Sequence, residues 1–296
     1  MNMENCYYRF KLSVQLLKEL KNPISTLLYF IGLKKTVTVK SKKLGSFEFN
    51  SNQKSICNSL FLVLPYVKEE NKEECAKFFK QWSKSEPIIE LDDYKIVYDE
   101  CAIFAEKFAE YLYNFKNLKK GDVIIDIGSH VGDTALDFAS KGLIVYGFEP
   151  VKELYQISLR NAELNPQFNN QLNLLNYAVS YKKGKVLIDS LESTSDFANS
   201  QDSYEVEVIT IDDILNDYSI KPKFLKMDCE GCEFDIIRNS DLSIFDEIIF
   251  EHHAAMRNDN YNSLVEILKN QGFNIDLSPI WLFDMENIGI IHAYKH

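Results

Sequence analysis

The rhythm of hydrophobic positions changes near residue 120. Beyond it, short apolar runs alternate with stretches of helical spacing. Val123–Ile127 (VIIDI), Leu143–Phe148 (LIVYGF), Gln171–Val179, Phe224–Met227 and Glu247–Phe250 read as strands. Asp133–Ser140, Lys152–Leu164, Asp212–Asp217, Glu233–Asn239 and Tyr261–Gln271 read as helices. VIIDI and EIIFE lack polar alternation, as expected of strands covered on both faces. Lys185–Asp189 and Glu205–Ile211 read as a sheet extension around the polar loop Ser190–Ser203. Phe273–Leu277 and Gly289–Tyr294 are the last strands, placed to form an antiparallel edge. Strands alternating with helices of this length predict a parallel sheet with helices on both faces.

Before residue 120 the pattern reads as helices and irregular turns. Phe10, Val14, Leu16, Leu17 and Leu20 recur at helical spacing until Pro23, which closes or kinks the element. Glu73–Trp82 is a second helical pattern, and Ala102–Phe115 is apolar at i, i+3 and i+4. Tyr94–Tyr98 (YKIVY) is short and β-prone. The expected organisation is a mostly helical N-terminal accessory or cap segment over 1–90 and an α/β domain over 91–296.

Composition adds one correction to this picture. The 296 residues carry a net charge of −11, but residues 1–120 sum to +5 and residues 121–296 to −16. An acidic α/β part argues against nucleic acid as partner. The basic front suits a cap or a peripheral membrane contact through FKLSVQLLKEL and Lys34–Lys43, or is simply solvated. The apolar stretches Asn22–Leu33 and Ser55–Val67 end at lysines, short of the roughly 20 residues that span a bilayer. The start, MNMENCYYRFK, lacks the layout of a signal peptide, and six cysteines in this length form no disulfide framework. These features predict a reduced, cytoplasmic protein. Cys229 and Cys232 form a C-x-x-C without a second pair, and read as a packed, coincidental couple.

The most informative segment is Gly121–Leu136, GDVIIDIGSHVGDTAL. A strand ends at Asp126, Gly128 makes a tight turn, and Gly132 opens a helix whose free N–H groups favour anionic groups. The spacing is G-x-x-x-G, not the G-x-G-x-x-G of dinucleotide folds. A carboxylate at Asp126 suits an ammonium-bearing ligand or an ordered water. The second strand ends in Gly147-Phe148-Glu149-Pro150, and an acid there is placed to accept both ribose hydroxyls of an adenosine. A ribose without a phosphate beneath it, beside an ammonium, describes S-adenosylmethionine. The bland alternative is an ordinary βαβ turn.

DIGSHVGDTAL followed by GFEP resembles motif I and the acidic loop of class I methyltransferases. VITIDDIL (208–215), FLKMDCEGCEFDIIRN (224–239) and EIIFEHH (247–253) resemble the FkbM family. Lys226, Asp228, Glu230, Gly231 and Glu233 match its K-x-D-x-E-G-x-E motif at every fixed position. Ser129-His130 stands where that family usually has Ala-Asn. The resemblance covers about residues 94–296. It implies a Rossmann-like, seven-stranded, mostly parallel sheet with an antiparallel edge strand, and S-adenosylmethionine-dependent methyl transfer, often to hydroxyls of sugars or secondary metabolites. It implies that Asp126, Gly128, Ser129, His130, Gly132 and Thr134 line the cofactor. Glu149, with Pro150 beside it, would hold the ribose, and Tyr177 and Ala178 would flank the adenine.

Methyl transfer to an alcohol also requires loss of the acceptor's proton. Asp228 ends the fourth strand, in the crevice where open sheets bind ligands, with Glu230 close behind. Glu251, His252 and His253 end the fifth. Two roles compete: His252 or Asp228 as general base, or Asp228, Glu251 and His252 around a divalent cation. The structural alternative is that Glu230 or Glu233 caps the helix after Gly231. His292 reads as structural. The expected function is O-methylation of a small molecule or glycan. An RNA methyltransferase and a cofactor-binding module without turnover are the alternatives. The acceptor and the oligomeric state are not encoded in any motif.

Overall fold

The computed structural model describes residues 18–64, 67–84, 88–97, 114–189, 203–279, 285 and 288–295. Most of the two expected helices at Phe10–Leu20 and Ala102–Phe115 lies outside these residues, as does the loop Ser190–Ser203 apart from its last residue. The chain divides into two units, Met1–Leu112 and Tyr113–His296.

The first unit contains helix α1 (Pro23–Phe30), the hairpin β1 (Thr36–Ser41) and β2 (Gly45–Asn50), helices α2 (Lys54–Val63) and α3 (Lys72–Ser83), and the short hairpin β3 (Ile88–Glu90) and β4 (Lys95–Val97). The β1–β2 hairpin was not among the predicted elements. Its pattern is nonetheless period two: Val37, Val39, Phe47 and Phe49 are buried and their neighbours are mostly not. Lysines at 40, 42 and 43 mask that alternation in sequence. Phe47 packs edge-on against Phe79 of α3, whose Phe78 and Trp82 complete an aromatic core.

In the second unit the elements follow the predicted order. They are β5 (Val123–Ile127), α4 (Asp133–Ser140), β6 (Ile144–Phe148), α5 (Lys152–Glu163), β7 (Leu172–Leu175), β8 (Ala178–Val179), β9 (Gly184–Asp189) and β10 (Ser203–Ile209). Then come α6 (Ile211–Asp217), β11 (Phe224–Met227), α7 (Cys232–Asn239), β12 (Glu247–His252), α8 (Ala254–Arg257), α9 (Tyr261–Asn270), β13 (Asn274–Pro279) and β14 (Gly289–Tyr294). Seven strands form one sheet in the order β13-β14-β12-β11-β5-β6-β7. Its strands are parallel from β7 through β12, and β14 runs antiparallel to both β12 and β13. A smaller sheet has the order β8-β10-β9. The expected single strand Gln171–Val179 is broken between β7 and β8, where the Asn176 side chain donates to the carbonyls of Glu149 and Pro150.

The strand order reverses between β5 and β11. From β5 the chain steps outward through β6 and β7, then returns to lay β11 and β12 on the other side. Loops at the carboxyl ends of such neighbours part and leave a crevice. One buried polar contact ties these two strands. Lys226 on β11, 2% exposed in an otherwise apolar strand, pairs with Asp126 on β5 at 3.0 Å and donates to the Gly128 carbonyl at 2.7 Å. The other Asp126 oxygen accepts from the Thr134 hydroxyl at 2.6 Å. Among the described residues, no helix is long and apolar enough to cross a membrane.

Removing one member of a buried pair leaves a charge uncompensated. Lys226→Met is expected to lower unfolding stability by about 3–5 kcal/mol. Lys223→Met, at a pair whose lysine is solvent-exposed, is expected to change it less, by about 1 kcal/mol or under. Denaturant titration of the two variants checks the contrast.

Candidate active site

The crevice is built from three loops. The first follows β5. Gly128 has φ +74°, and a Cβ there would overlap the carbonyl oxygen of Asp228 on the neighbouring strand. Only glycine lets the two loops touch. The N–H groups of Gly128 and Ser129 both donate to the Phe148 carbonyl, at 2.9 and 3.1 Å, which folds the turn against β6. Gly132, with φ +80°, rests on Ser158 of α5 and starts α4.

The second loop follows β6. The Glu149 carboxylate accepts from the backbone N–H of His130 at 2.9 Å and of Val151 at 2.8 Å. Its position is thus fixed from both sides. Burial pushes its pKa up from the ordinary 4.5 to about 7, although these two donors favour the ionised form. Pro150 follows, half-buried.

The third loop follows β11 and meets the end of β12. Asp228 continues the parallel ladder, donating its N–H to the Ile127 carbonyl at 2.9 Å. Glu230 and Gly231 both adopt positive φ, 55° and 109°, before α7 begins. Cys229 and Cys232 are joined by a disulfide across this turn. This corrects the expectation of a packed, unbonded pair: the left-handed turn brings their Cα atoms to 5.5 Å, within bridging distance. Glu233 is 0% exposed, and its Oε1 accepts from the Cys229 N–H at 2.9 Å. It is this acid, rather than Glu230, that ties the first turn of α7 to a backbone N–H.

The strand β12 sorts its terminal residues by face. Successive side chains on a strand point to opposite sides, so Glu251 and His253 point one way and His252 the other. The expected grouping of Asp228, Glu251 and His252 is therefore not the one the fold assembles. His253 takes the place of His252, and donor atoms of Asp228, Glu251 and His253 all lie within 4.8 Å of one another. His253 Nε2 stands 3.4 Å from Glu251 Oε1, 3.4 Å from Glu230 Oε2 and 4.0 Å from Asp228 Oδ1. Its Nδ1 stands 3.4 Å from Glu233 Oε1. Burial alone would lower the His253 pKa, but Glu233, Glu251 and Glu230 outweigh it and raise the pKa to about 11. Burial raises Glu251 and Glu230 above the ordinary carboxylate range. His252 is 0% exposed and stacks on the Tyr261 ring at 4.9 Å. Burial, with the neighbouring His253 charge, lowers its pKa to about 4.

The remaining expected residues sort as follows. Ser129 and Thr134 are buried, and His130 is half-buried with φ 50°. Asp126 is 0% exposed and both its oxygens are engaged, by Lys226 and by Thr134. The ammonium expected beside it is the chain's own. Tyr177 is half-buried against the core beside Tyr146 and Tyr218, and Ala178 pairs with Val208 of β10. His292 contacts the buried Glu247 at 3.1 Å. Lys226 was not among the expected site residues. The signal was present, since a lysine inside an apolar strand must find a buried partner.

The family's sequence profile, that of the methyltransferase FkbM domain, matches residues 126–275. The chain belongs to the FkbM methyltransferase family. The matched span runs from Asp126 on β5 to Ile275 on β13, so it contains all three loops of the crevice. An uncharacterized RNA methyltransferase from Lactococcus lactis is 43% identical over 61 residues, 21% of this chain and 13% of that protein. Among solved structures, the FkbM methyltransferase of Methylobacillus flagellatus is 15% identical with a TM-score of 0.46, covering 81% of this chain and 59% of its own. The magnesium protoporphyrin IX methyltransferase of Synechocystis, solved with bound S-adenosylmethionine, is 14% identical with a TM-score of 0.37, covering 60% and 71%. The chain thus spans 13% of the Lactococcus protein's length and 59% of the Methylobacillus chain.

The raised pKa of Glu149 has a consequence for stability. Between about pH 4.5 and 7 the folded chain keeps a proton there that the unfolded chain has lost, so folding stability falls as pH rises through that window. Glu149→Gln removes the effect. Relative to wild type, the variant is expected to gain up to about 3 kcal/mol between pH 4.5 and about pH 8, measured by denaturant titration without cofactor. A constant difference between the two proteins contradicts it.

Proposed function

We propose that this chain transfers a methyl group from S-adenosylmethionine to a hydroxyl of a small molecule or glycan. The observation that carries the reading is the Glu149 carboxylate, held by two backbone N–H groups beside a glycine turn that only glycine can make. In this reading Glu149 accepts the ribose hydroxyls. Gly128, Ser129, His130 and Gly132 supply the close backbone approach, and Pro150, Tyr177 and Ala178 border the adenosine. Asp126 and Thr134 act as positioning residues, because their polar atoms already hold Lys226 and each other.

The cofactor supplies the reactive sulfonium methyl, and the protein supplies binding, orientation and electrostatics. When bound, the cofactor would present that methyl for in-line attack by the acceptor oxygen, the carbon–sulfur electron pair staying on sulfur. Asp228, at the switch point of the sheet, borders both partners. With Glu230 and Glu251 it forms the carboxylate wall that would take up the acceptor's proton, while His253 keeps its own among them. His252, buried on the other face of β12, is not part of that wall.

The 43% identity to a stretch of an RNA methyltransferase supports a second reading, methylation of RNA. The net charge of −16 over residues 121–296 weighs against it. Calorimetry with S-adenosylhomocysteine tests the leading reading. Binding is expected, weakened at least about tenfold by Glu149→Ala through loss of a charge-assisted hydrogen bond of about 1.5–3 kcal/mol. No binding to the wild-type chain overturns it. Transfer of labelled methyl to RNA, with affinity falling steeply in salt, favours the second reading.

A further inference from the structure

We propose that helix α1 and the turn after it dock the first unit on an anionic lipid surface. Ile24, Leu27, Ile31 and Leu33 enter the boundary of the acyl chains, and Lys21, Lys34, Lys35 and Lys40 meet the headgroup phosphates. The inference goes beyond the methyltransferase reading and does not depend on it.

Helix α1 has two unlike faces. Thr26 and Tyr29 are buried, and the Tyr29 hydroxyl donates to the Asn50 carbonyl at the end of β2, which fastens that face to the hairpin. Ile24, Leu27 and Ile31 recur at i, i+3 and i+7, so they share the other face. They are 73%, 43% and 60% exposed, and Leu33, just beyond the helix, is 72% exposed. Four of the ten exposed large hydrophobic side chains among the described residues thus fall within residues 24–33. Scattered ones need no explanation, but a contiguous ridge marks an interaction surface.

The charge around this ridge is of one sign. From Leu20 to Phe47 the chain carries six lysines and no acidic residue. Lys21, Lys34, Lys35 and Lys40 are exposed, and none of them pairs with a carboxylate among the described residues. In the second unit, by contrast, Lys141, Lys183, Lys185 and Lys223 each hold a carboxylate. A cavity of about 730 Å³ opens beside α1, lined by Ser25, Lys34, Thr36, Thr38 and Lys40 with one acid, Glu48. Lys34 Nζ donates to Ser25 Oγ at 3.0 Å, which holds its ammonium at the cavity. Two lysines among hydroxyls suit the phosphate of a lipid headgroup.

The ridge and the lysines together select the partner. A nucleic acid would use the lysines and leave the ridge in water. Protein–protein interfaces are depleted in lysine. A lipid surface uses both: the apolar side enters the acyl boundary while lysine stems carry their charges up to the headgroups. At eight residues, α1 is about 12 Å long, so the contact is shallow. Of the two stretches marked in sequence, Lys34–Lys43 belongs to this surface, whereas most of FKLSVQLLKEL lies outside the described residues. The apolar side comes instead from residues 24–33.

The test floats the full chain with vesicles of phosphatidylcholine, with and without phosphatidylglycerol. Binding to the anionic vesicles is expected, and it should weaken as salt rises. Lys34→Gln and Lys35→Gln should each weaken it about fivefold, the factor that corresponds to about 1 kcal/mol per basic residue at an anionic surface. The double variant Ile31→Asn, Leu33→Asn keeps every charge and should weaken binding at least about tenfold. Lys269→Gln, at an exposed pair in the second unit, should leave it within about twofold. All these side chains are exposed, so the denaturant midpoints should match wild type and report that each variant is folded. A folded chain that ignores anionic vesicles overturns the proposal, as does equal binding to phosphatidylcholine alone. Binding that survives both the lysine and the Ile31, Leu33 substitutions overturns it too. A dimer in sedimentation that Ile31→Asn, Leu33→Asn disperses, without vesicle binding, gives the face to a second copy and overturns the lipid assignment.

Discussion

The crevice depends on one buried ion pair. Lys226 and Asp126 sit on adjacent parallel strands and face each other below the surface. Each would be costly to bury alone. Besides their mutual contact, Lys226 donates to the Gly128 carbonyl and Asp126 accepts from the Thr134 hydroxyl. The glycine turn is thus held from beneath by β11 and from its own helix α4. The turn in turn offers the His130 N–H to Glu149. A contact that contributes no apolar burial therefore sets the positions of all three loops, at the place where the strand order reverses.

The β12 end shows how a single residue of register decides chemistry. Glu251, His252 and His253 are consecutive, and a strand cannot point all three the same way. Two go to the acidic cluster and one goes under Tyr261. The two histidines then experience opposite environments. Carboxylates surround His253 and hold its proton, while burial without such partners keeps His252 neutral.

Much of the second unit was legible because its strands and helices differ in period and its loops carry glycine where φ must be positive. The Gly128 turn, Glu149 and the K-x-D-x-E-G-x-E segment stand in the sequence as they do in the fold. What was not legible has physical causes. The choice between His252 and His253 followed from alternation, but β12 had to end at His252 for it to apply, and its boundary was read two residues early. The inward role of Asp126 needed its partner, a hundred residues away. The disulfide needed the left-handed turn at Glu230 and Gly231. In the first unit, lysines in and after β1 obscured a hairpin whose valines and phenylalanines alternate plainly.

In the proposed function, Glu149 and the Gly128 turn receive the adenosine part of S-adenosylmethionine, with the methyl directed toward Asp228. A crystal structure of the chain grown with S-adenosylhomocysteine tests it most directly. Ribose hydroxyls are expected within hydrogen-bond distance of the Glu149 carboxylate, and the sulfur on the Asp228 side of the Gly128 turn. A ligand bound elsewhere, with Glu149 making only its present contacts to His130 and Val151, would contradict it.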